Sequence, residues 1–361
     1  MGEVHPGGDG RSWTLLGGRV VRPDQVPCDD ARNPASRSIL RMTTVPADPR
    51  RAPGRVAVVV VTFNSADVVP GLLASLPDGL AGLEWTLVVV DNGSRDDTVE
   101  VVQRLAPDAV VVRSARNGGY AAGINLGAAQ VPDRSAVLVL NPDVRLGPGC
   151  VAELVAAVDR TGAGIAVPRL DDARGHLISS RRREPTLRRA LADAVLGAER
   201  AGSVADLGEV ITDPRAYEVE SPADWAEGST QLVSAACWDA VGPWDESYFL
   251  YSEETDFALR ARDAGYPTWF VPTAHAVHLE GGSADNPGLW RLLVANRLRL
   301  YGRRHGRVAT AAFWVVLVGR EGSRALLGKR TSRAALRGLL SPRYLRETPG
   351  PHSIVAVSAS A

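Results

Sequence analysis

Three short apolar runs constrain this fold more than anything else in the chain: residues 56–61, 85–90 and 136–140. Each is too short for a buried helix and has no polar alternation, so each reads as a strand covered on both faces. Each run stops abruptly at polar residues: Thr62-Phe63-Asn64-Ser65, Asp91-Asn92-Gly93-Ser94 and Asn141-Pro142-Asp143. Pro142 cannot donate to a sheet ladder, so the third strand ends there. Between the runs, Val68, Leu72, Leu73 and Leu76, then Val101, Val102 and Leu105, fall at helical spacing. A further strand over 109–112 and a small-residue helix after Asn117 complete four strand–helix alternations. That pattern predicts an α/β fold with a doubly wound, mostly parallel sheet and right-handed crossovers.

Local signals set expected boundaries. Ser65 is expected to cap the first helix, with Pro70 in its opening turn, and Ser94 with Asp97 to form a capping box. A helix over 150–160 and a strand over 163–168 continue the alternation. Residues 170–222, with Arg181-Arg182-Arg183, Pro185 and a helix over 186–200, interrupt it and read as an insertion. Order resumes at Trp225. A helix opens near Glu253 and ends at Gly265, strands follow over 269–271 and 274–278, and residues beyond 289 are helical. The expected organisation is a poorly ordered 1–54 (with Met42 as an alternative start), a catalytic unit over 55–288 divided near 168, a basic helical tail over 289–345 and a disordered 346–361.

Composition enters where it excludes something. The formal net charge of zero gives no argument for nucleic-acid binding. Fourteen Arg or Lys against one acid, Glu321, lie between Arg291 and Arg346, so the charge is asymmetric. Cys28, Cys150 and Cys237 are scattered, odd in number and without metal spacing, which suits a reduced cytoplasmic compartment. The opening residues are polar, with no secretory leader pattern. The apolar stretch 308–319 is too short to span a bilayer, but its Trp314 and its flanks Arg303, Arg304, Arg307 and Arg320 suit peripheral contact with the inner membrane face. A helix packed on the catalytic unit, or in a homodimer, accounts for it equally well.

Several residue groups carry chemistry. Asp91 and Asp143 both end central strands at the carboxyl edge, where open α/β sheets bind ligands. Asp91 serves equally as a turn-forming acid. Asn117-Gly118-Gly119-Tyr120 is glycine-rich enough to approach a phosphate, yet matches no dinucleotide fingerprint or P-loop, and close helix–sheet packing explains it as well. Glu253, Glu254 and Asp256 suit a helix N-terminus, with Asp256 placed to pair with Arg260. Glu253 and Glu254 follow an aromatic run, and a carboxylate there could act as a general base. Asp143 and His278 together could hold one Mg2+ or Mn2+, completed by diphosphate oxygens and water.

Taken in order, 60–64, 90–94, 117–125, 141–143, 249–256 and 278–283 resemble the family 2 glycosyltransferases, in particular the bacterial rhamnosyltransferase-like enzymes of cell-wall and polysaccharide synthesis. The resemblance implies a GT-A fold and inverting transfer from a nucleotide-diphosphate sugar, dTDP-rhamnose first and UDP-sugars next, to a glycan or polyprenyl-linked acceptor. It implies that Thr62, Phe63, Asn64 and Asp91 line the nucleoside pocket and that Asn117, Gly118, Gly119, Asn125 and Asn141 lie along the nucleotide-sugar. It implies that Asp143 and His278 bind the metal, that Glu254 is the base with Glu253 its rival, and that Trp225, Gly228 and Ser229 shape the acceptor side. Two positions depart from the family pattern. The base position is Glu rather than Asp, and Ser234-Ala235 replaces a frequent basic pair. Two other function classes remain. A nucleotidyltransferase normally needs a basic glycine-rich first loop, which Thr62-Phe63-Asn64-Ser65 lacks. A non-catalytic nucleotide or glycan binder has no need of Asp143, Glu254 and His278 together.

Overall fold

The computed structural model describes residues 14–16, 19–21, 54–204, 206–279 and 286–355. Residues Met1–Pro46 and Ala47–Ala361 form two units. In the first, β1 (Thr14–Leu16) and β2 (Arg19–Val21) make an antiparallel hairpin. The rest of the expectation for 1–53, the Met42 start and Cys28 lie outside the described residues.

The second unit is built on the predicted strands. They are β3 (Val56–Thr62), β4 (Trp85–Asp91), β5 (Val110–Arg113), β6 (Ala136–Leu140) and β8 (Ile165–Asp171), with a short unpredicted strand, β7 (Val144–Leu146), before β8. Later come β9 (Arg181–Arg182), β10 (Ser221–Ala223), β11 (Trp225–Ala226), β12 (Thr230–Ser234) and β13 (Thr268–His278). The main sheet has the order β10-β13-β8-β12-β6-β3-β4-β5, with β7 also on β13. Strands β3, β4, β5, β6, β8 and β13 run one way; β7, β10 and β12 run the other. The sheet is therefore mostly parallel and flanked by helices, as the alternation predicts.

Both faces of the central strands are covered. Val56, Val58, Val60, Leu138 and Leu140 join a core with the helices Val69–Gly79 and Cys150–Thr161. Val59, Val61, Val137 and Val139 face the other way, onto the helices Tyr120–Ala128, Ala235–Val241 and Glu253–Asp263. Each such Val or Leu contributes roughly 1.5–3 kcal/mol by leaving water, which is why no polar residue interrupts the runs.

Some boundaries differ from the sequence reading. The first helix begins at Val69 without a side-chain cap, because Ser65 turns back to accept from the Phe63 amide. The Ser94–Asp97 capping box does not form; the helix starts at Thr98, and the Ser94 hydroxyl is drawn to Asp91 instead. The two expected strands near the end are one, β13, with a register shift between Val271 and His275. The insertion helix breaks at Gly197 into Leu187–Leu196 and Ala198–Ser203. Within the stretch expected to be disordered beyond 346 lies a short helix, His352–Val355.

The tail folds onto the domain. Phe313 and Leu317 of the helix Arg307–Leu326 pack with Ala190 of the insertion and with Val294, Leu298 and Tyr301 of the helix Pro287–Arg304. Most of its basic flanks are occupied. Arg303 pairs with Asp245, Arg304 with Glu184 and Asp263, and Arg320 with the fully buried Glu321. Arg307 stays exposed, next to an uncovered stripe of Val308, Ala311, Val315 and Leu326.

The glycines of the helix Tyr120–Ala128 let it lie close on the sheet. A Cβ on Gly127 would stand 2.4 Å from Val59 Cγ1, and one on Gly123 would stand 2.6 Å from Val61 Cγ1. Gly127→Ala is therefore expected to destabilise the fold by roughly 1–3 kcal/mol through overpacking. Urea unfolding measures this, and an unchanged midpoint would mean that the helix has room to spare.

Candidate functional site

Strand register assembles the site. β12 runs antiparallel to β6, with Thr230 opposite Leu140, so its first residues arrive where β6 ends. The Asn141 amide accordingly donates to the Ser229 carbonyl (2.9 Å). β7 pairs with the end of β13, with Val144 opposite His278. That register sets Asp143 beside His278, although 135 positions separate them in sequence.

His278 then lies between two carboxylates. Its Nε2 is 3.4 Å from Asp143 Oδ1, and its Nδ1 is 3.2 Å from Glu227 Oε1. Ser229 Oγ donates to the same Glu227 oxygen at 2.7 Å, and Asn141 Nδ2 is 3.5 Å from His278 Nε2. Burial pushes the imidazolium down, but the hydrogen bonds and charges of Asp143 and Glu227 outweigh it and leave His278 up at about 10. In turn, burial pushes both carboxyls up, and the His278 contact outweighs it, holding Asp143 and Glu227 below the usual carboxylate range. Two donors on one small divalent ion, each at about 2.0–2.1 Å, stand roughly 3 Å apart. Asp143 and the Nε2 of His278 fit that requirement, with Glu227 fixing the ring from its far side as carboxylates do behind metal-bound histidines. Among the described residues no cluster of three or more His, Cys, Asp or Glu suits a metal. Any ion here would need oxygens from substrate and water.

The paired glutamates separate by environment. Glu253 is 2% exposed and its Oε2 has no hydrogen-bond partner; burial, then the charge of Glu254, pushes it well above the carboxylate range. Glu254 is half-buried, one residue further round the helix start. Burial, and after it the charge of Glu227, pushes it up to about 7 against the opposing charge of Arg182. Burial thus disfavours charge on Glu253, whereas the half-buried Glu254 can exist as a carboxylate near neutral pH. Gly228 lies against Glu254: a Cβ there would stand 3.4 Å from the Glu254 Cβ. Tyr120 closes the group, its hydroxyl donating to the Gly228 carbonyl at 3.0 Å. Burial, then the charges of Glu253, Glu254, Asp143 and Glu227, raises its phenol well above the ordinary value.

A second group forms at the ends of β3 and β4. Asp91 accepts from Thr62 Oγ1 (3.2 Å), Ser94 Oγ (2.5 Å) and the amides of Gly93 (3.2 Å) and Ser94 (3.0 Å). Those four donors match the roughly four acceptor positions of a carboxylate, so Asp91 builds this loop from within. Ser94 Oγ also accepts from the Asn64 amide (2.8 Å), and Asn64 Oδ1 accepts from the Arg95 amide (2.8 Å). Thr62 is fully buried, while Phe63 and Asn64 face outward. Across the mouth, Asn117 Oδ1 accepts from the Gly119 amide (3.0 Å), and Asn92 donates to the Gly119 carbonyl (2.9 Å). Gly118 and Gly119 lead directly into the helix bearing Tyr120.

Two expected site residues also have structural partners. Asn125 clamps the Trp244 turn, accepting from its amide (2.9 Å) and donating to its carbonyl (2.9 Å) and to Glu246 (2.9 Å). Trp225 is buried, donates to the Arg183 carbonyl (3.0 Å) and lies under the Arg182 guanidinium. Ser234, at the departure from the family pattern, caps the helix Ala235–Val241. Sequence reasoning passed over Glu227, Tyr120 and Arg182. Glu227 and Tyr120 lay inside stretches already singled out, but only register shows that they face Glu254 and His278. Arg182 sits in the insertion within the run Arg181-Arg182-Arg183, where nothing local tells which arginine bears on Glu254.

Residues 57–202 match the family described as Glycosyl transferase family 2. The chain is 31% identical over 233 residues to N-acetylglucosaminyl-diphospho-decaprenol L-rhamnosyltransferase of Mycobacterium tuberculosis, covering 61% of this chain and 75% of that protein. It is 29% identical over 228 residues to the low-salt glycan biosynthesis hexosyltransferase Agl10 of Haloferax volcanii, covering 62% and 66%. In fold it is similar to a mannosyltransferase of Pyrobaculum calidifontis solved with GDP-Man and Mn2+, with TM-score 0.50 and 16% identity over 86% of this chain and 80% of that one.

Ser94 joins two halves of the outer loop. Ser94→Ala is expected to cost about 1–2 kcal/mol and to weaken nucleotide binding several-fold, read by thermal melting and calorimetric titration. Unchanged binding would show that the loop geometry does not depend on this hydroxyl.

Proposed function

This chain belongs to the family 2 glycosyltransferases and has the GT-A fold, and from that premise we propose inverting transfer of a sugar, dTDP-rhamnose first among donors and UDP-sugars next, to a polyprenyl-linked or growing glycan. The observation that carries the mechanism is the placement of Glu254, the more exposed carboxylate of its pair, beside Gly228 and the Asp143–His278–Glu227 group. Similarity to a rhamnosyltransferase named for a diphospho-decaprenol acceptor supports the choice of donor and acceptor.

In this reading, Phe63, Asn64 and the loop built on Asp91 receive the nucleoside. Asn117 to Gly119 and Asn141 border the diphosphate. Asp143 and His278 would hold a Mg2+ or Mn2+, which when bound supplies positive charge against the departing diphosphate. Glu254 accepts the acceptor hydroxyl proton as that oxygen bonds to the anomeric carbon. The bond from that carbon to the diphosphate oxygen breaks, and the nucleoside diphosphate leaves with the electron pair. Attack and departure on opposite faces invert the centre, through an oxocarbenium-like state. Gly228 and Ser229 border the acceptor, with Trp225 supporting them from behind. Peripheral contact with an anionic membrane is the proposed role of the exposed stripe Val308, Val315 and Leu326, beside the exposed Arg307, Arg330, Arg333 and Arg337; a homodimer through that stripe is the competing use.

Glu254→Gln is expected to lower kcat by about 10²–10⁴-fold with donor affinity retained. Near-normal turnover would reject the base. Because a base must be deprotonated, kcat/KM of the wild type should fall about tenfold per unit as pH drops below about 7; a flat profile from pH 5 to 8 would contradict it.

Changing Val308, Val315 and Leu326 together to Ser should reduce flotation with anionic vesicles at unchanged mass. A fall in mass with unchanged flotation would favour the dimer.

A further inference from the structure

The loop that delivers Glu253 and Glu254 is strained. Phe249 (φ 64°, ψ −57°), Tyr251 (φ 69°) and Ser252 (φ 75°, ψ −7°) all have positive φ, and none is glycine. Each such residue is strained and persists only where its surroundings over-determine it. Three in four residues, ending next to Glu253, need an external hold.

One hold comes from the donor side. The Phe249 carbonyl accepts from the Tyr120 amide at 2.8 Å, directly over Gly119. Gly119 has φ +91°, and a Cβ there would stand 2.1 Å from the Phe249 oxygen, so the approach requires glycine. The other hold comes from the tail. Asn296, with no exposed surface, donates from Nδ2 to the carbonyls of Tyr248 (2.8 Å), Leu250 (2.9 Å) and Tyr251 (3.1 Å). Its Oδ1 accepts from the Arg299 guanidinium, one turn along the same helix, and Arg299 is tied in turn to the Glu347 carbonyl (3.0 Å). A guanidinium has no acceptor, so Arg299 fixes which end of the amide faces the loop. A buried amide in mid-helix is disfavoured by propensity and by desolvation. Here its two N–H groups are shared among three carbonyls of another segment, three to six residues before Glu254.

We infer that Asn296 is a positioning residue for glycosyl transfer: through these carbonyls the helix Pro287–Arg304 sets the angle at which Glu254 enters the site. The inference rests on the reading of Glu254 as the base. It gives the tail a part in catalysis separate from any membrane contact, since Asn296 faces the domain. It also joins base and donor side through one loop, held by Gly119–Tyr120 at one end and by Asn296 along its length.

The test compares Asn296→Ala, Arg299→Gln and Glu254→Gln in the full chain, with kinetics, pH profiles and melting. A misplacement of about 1 Å can cost about 10²-fold. Asn296→Ala is expected to lose about that in kcat, with donor KM within threefold and the acid limb of kcat/KM moved from its wild-type position. Arg299→Gln keeps the Asn296 donors but frees their orientation, and should lose about three- to tenfold in kcat. It carries the test if Asn296→Ala does not fold. A folded Asn296→Ala with kcat within twofold of wild type, or with an unmoved acid limb and the loss confined to KM, overturns the inference. So does wild-type kcat in Arg299→Gln where Asn296→Ala is unfolded. An inactive Glu254→Gln beside a normal Asn296→Ala rejects the positioning role alone; an active Glu254→Gln rejects the base and this inference with it.

Discussion

The site depends on one reversed strand. β12 lies between β6 and β8 and runs against both. In a sheet of parallel strands, carboxyl ends collect at one edge and amino ends at the other. Reversal brings the amino end of β12, with Glu227, Gly228 and Ser229, to the edge where β6 delivers Asn141 and Asp143. The short reversed strand β7 does similar work, turning back along β13 so that Asp143 meets His278. Slipping either register by one residue would turn these side chains to the opposite face of the sheet. The ladder hydrogen bonds and the two covered faces of the sheet therefore hold the chemistry in place.

Charge follows from that geometry. Asp143, Glu227, Glu253 and Glu254 all bear on Tyr120, and such a concentration of acids in a partly buried space must be neutralised. Protons and cations do it in different places. Burial disfavours charge on Glu253, His278 bridges Asp143 and Glu227, and Arg182 opposes the charge near Glu254. A fully buried acid, a half-buried one and a histidine between two carboxylates thus stand within one site. The division between Glu253 and Glu254 comes from exposure, since the two are adjacent in sequence and alike in chemistry.

The parts expected to be separable are interlocked. The insertion contributes Arg182 to the site and Ala190 to the tail's core. The tail contributes Asn296 to the loop before Glu254, and Arg303 and Arg304 beside its apolar stretch form ion pairs with the domain. The exposed apolar stripe remains on the outer face of a helix whose inner face is core, so packing on the domain occupies only one side of it.

The sequence by itself determined the α/β alternation, because a run such as 136–140 can only be a strand covered on both faces, and it marked Asp91, Asp143 and Glu254 by their places at strand and helix ends. It did not determine which marked residues face one another. Asn125 and Glu227 illustrate this: the first sits in a recognisable motif but clamps Trp244, while the second carries no signal of its own and supports His278. Periodicity is local, reporting which face of an element is buried. Partnership across 135 residues, as between Asp143 and His278, is set by strand direction and register, and those are chosen only when the whole sheet packs.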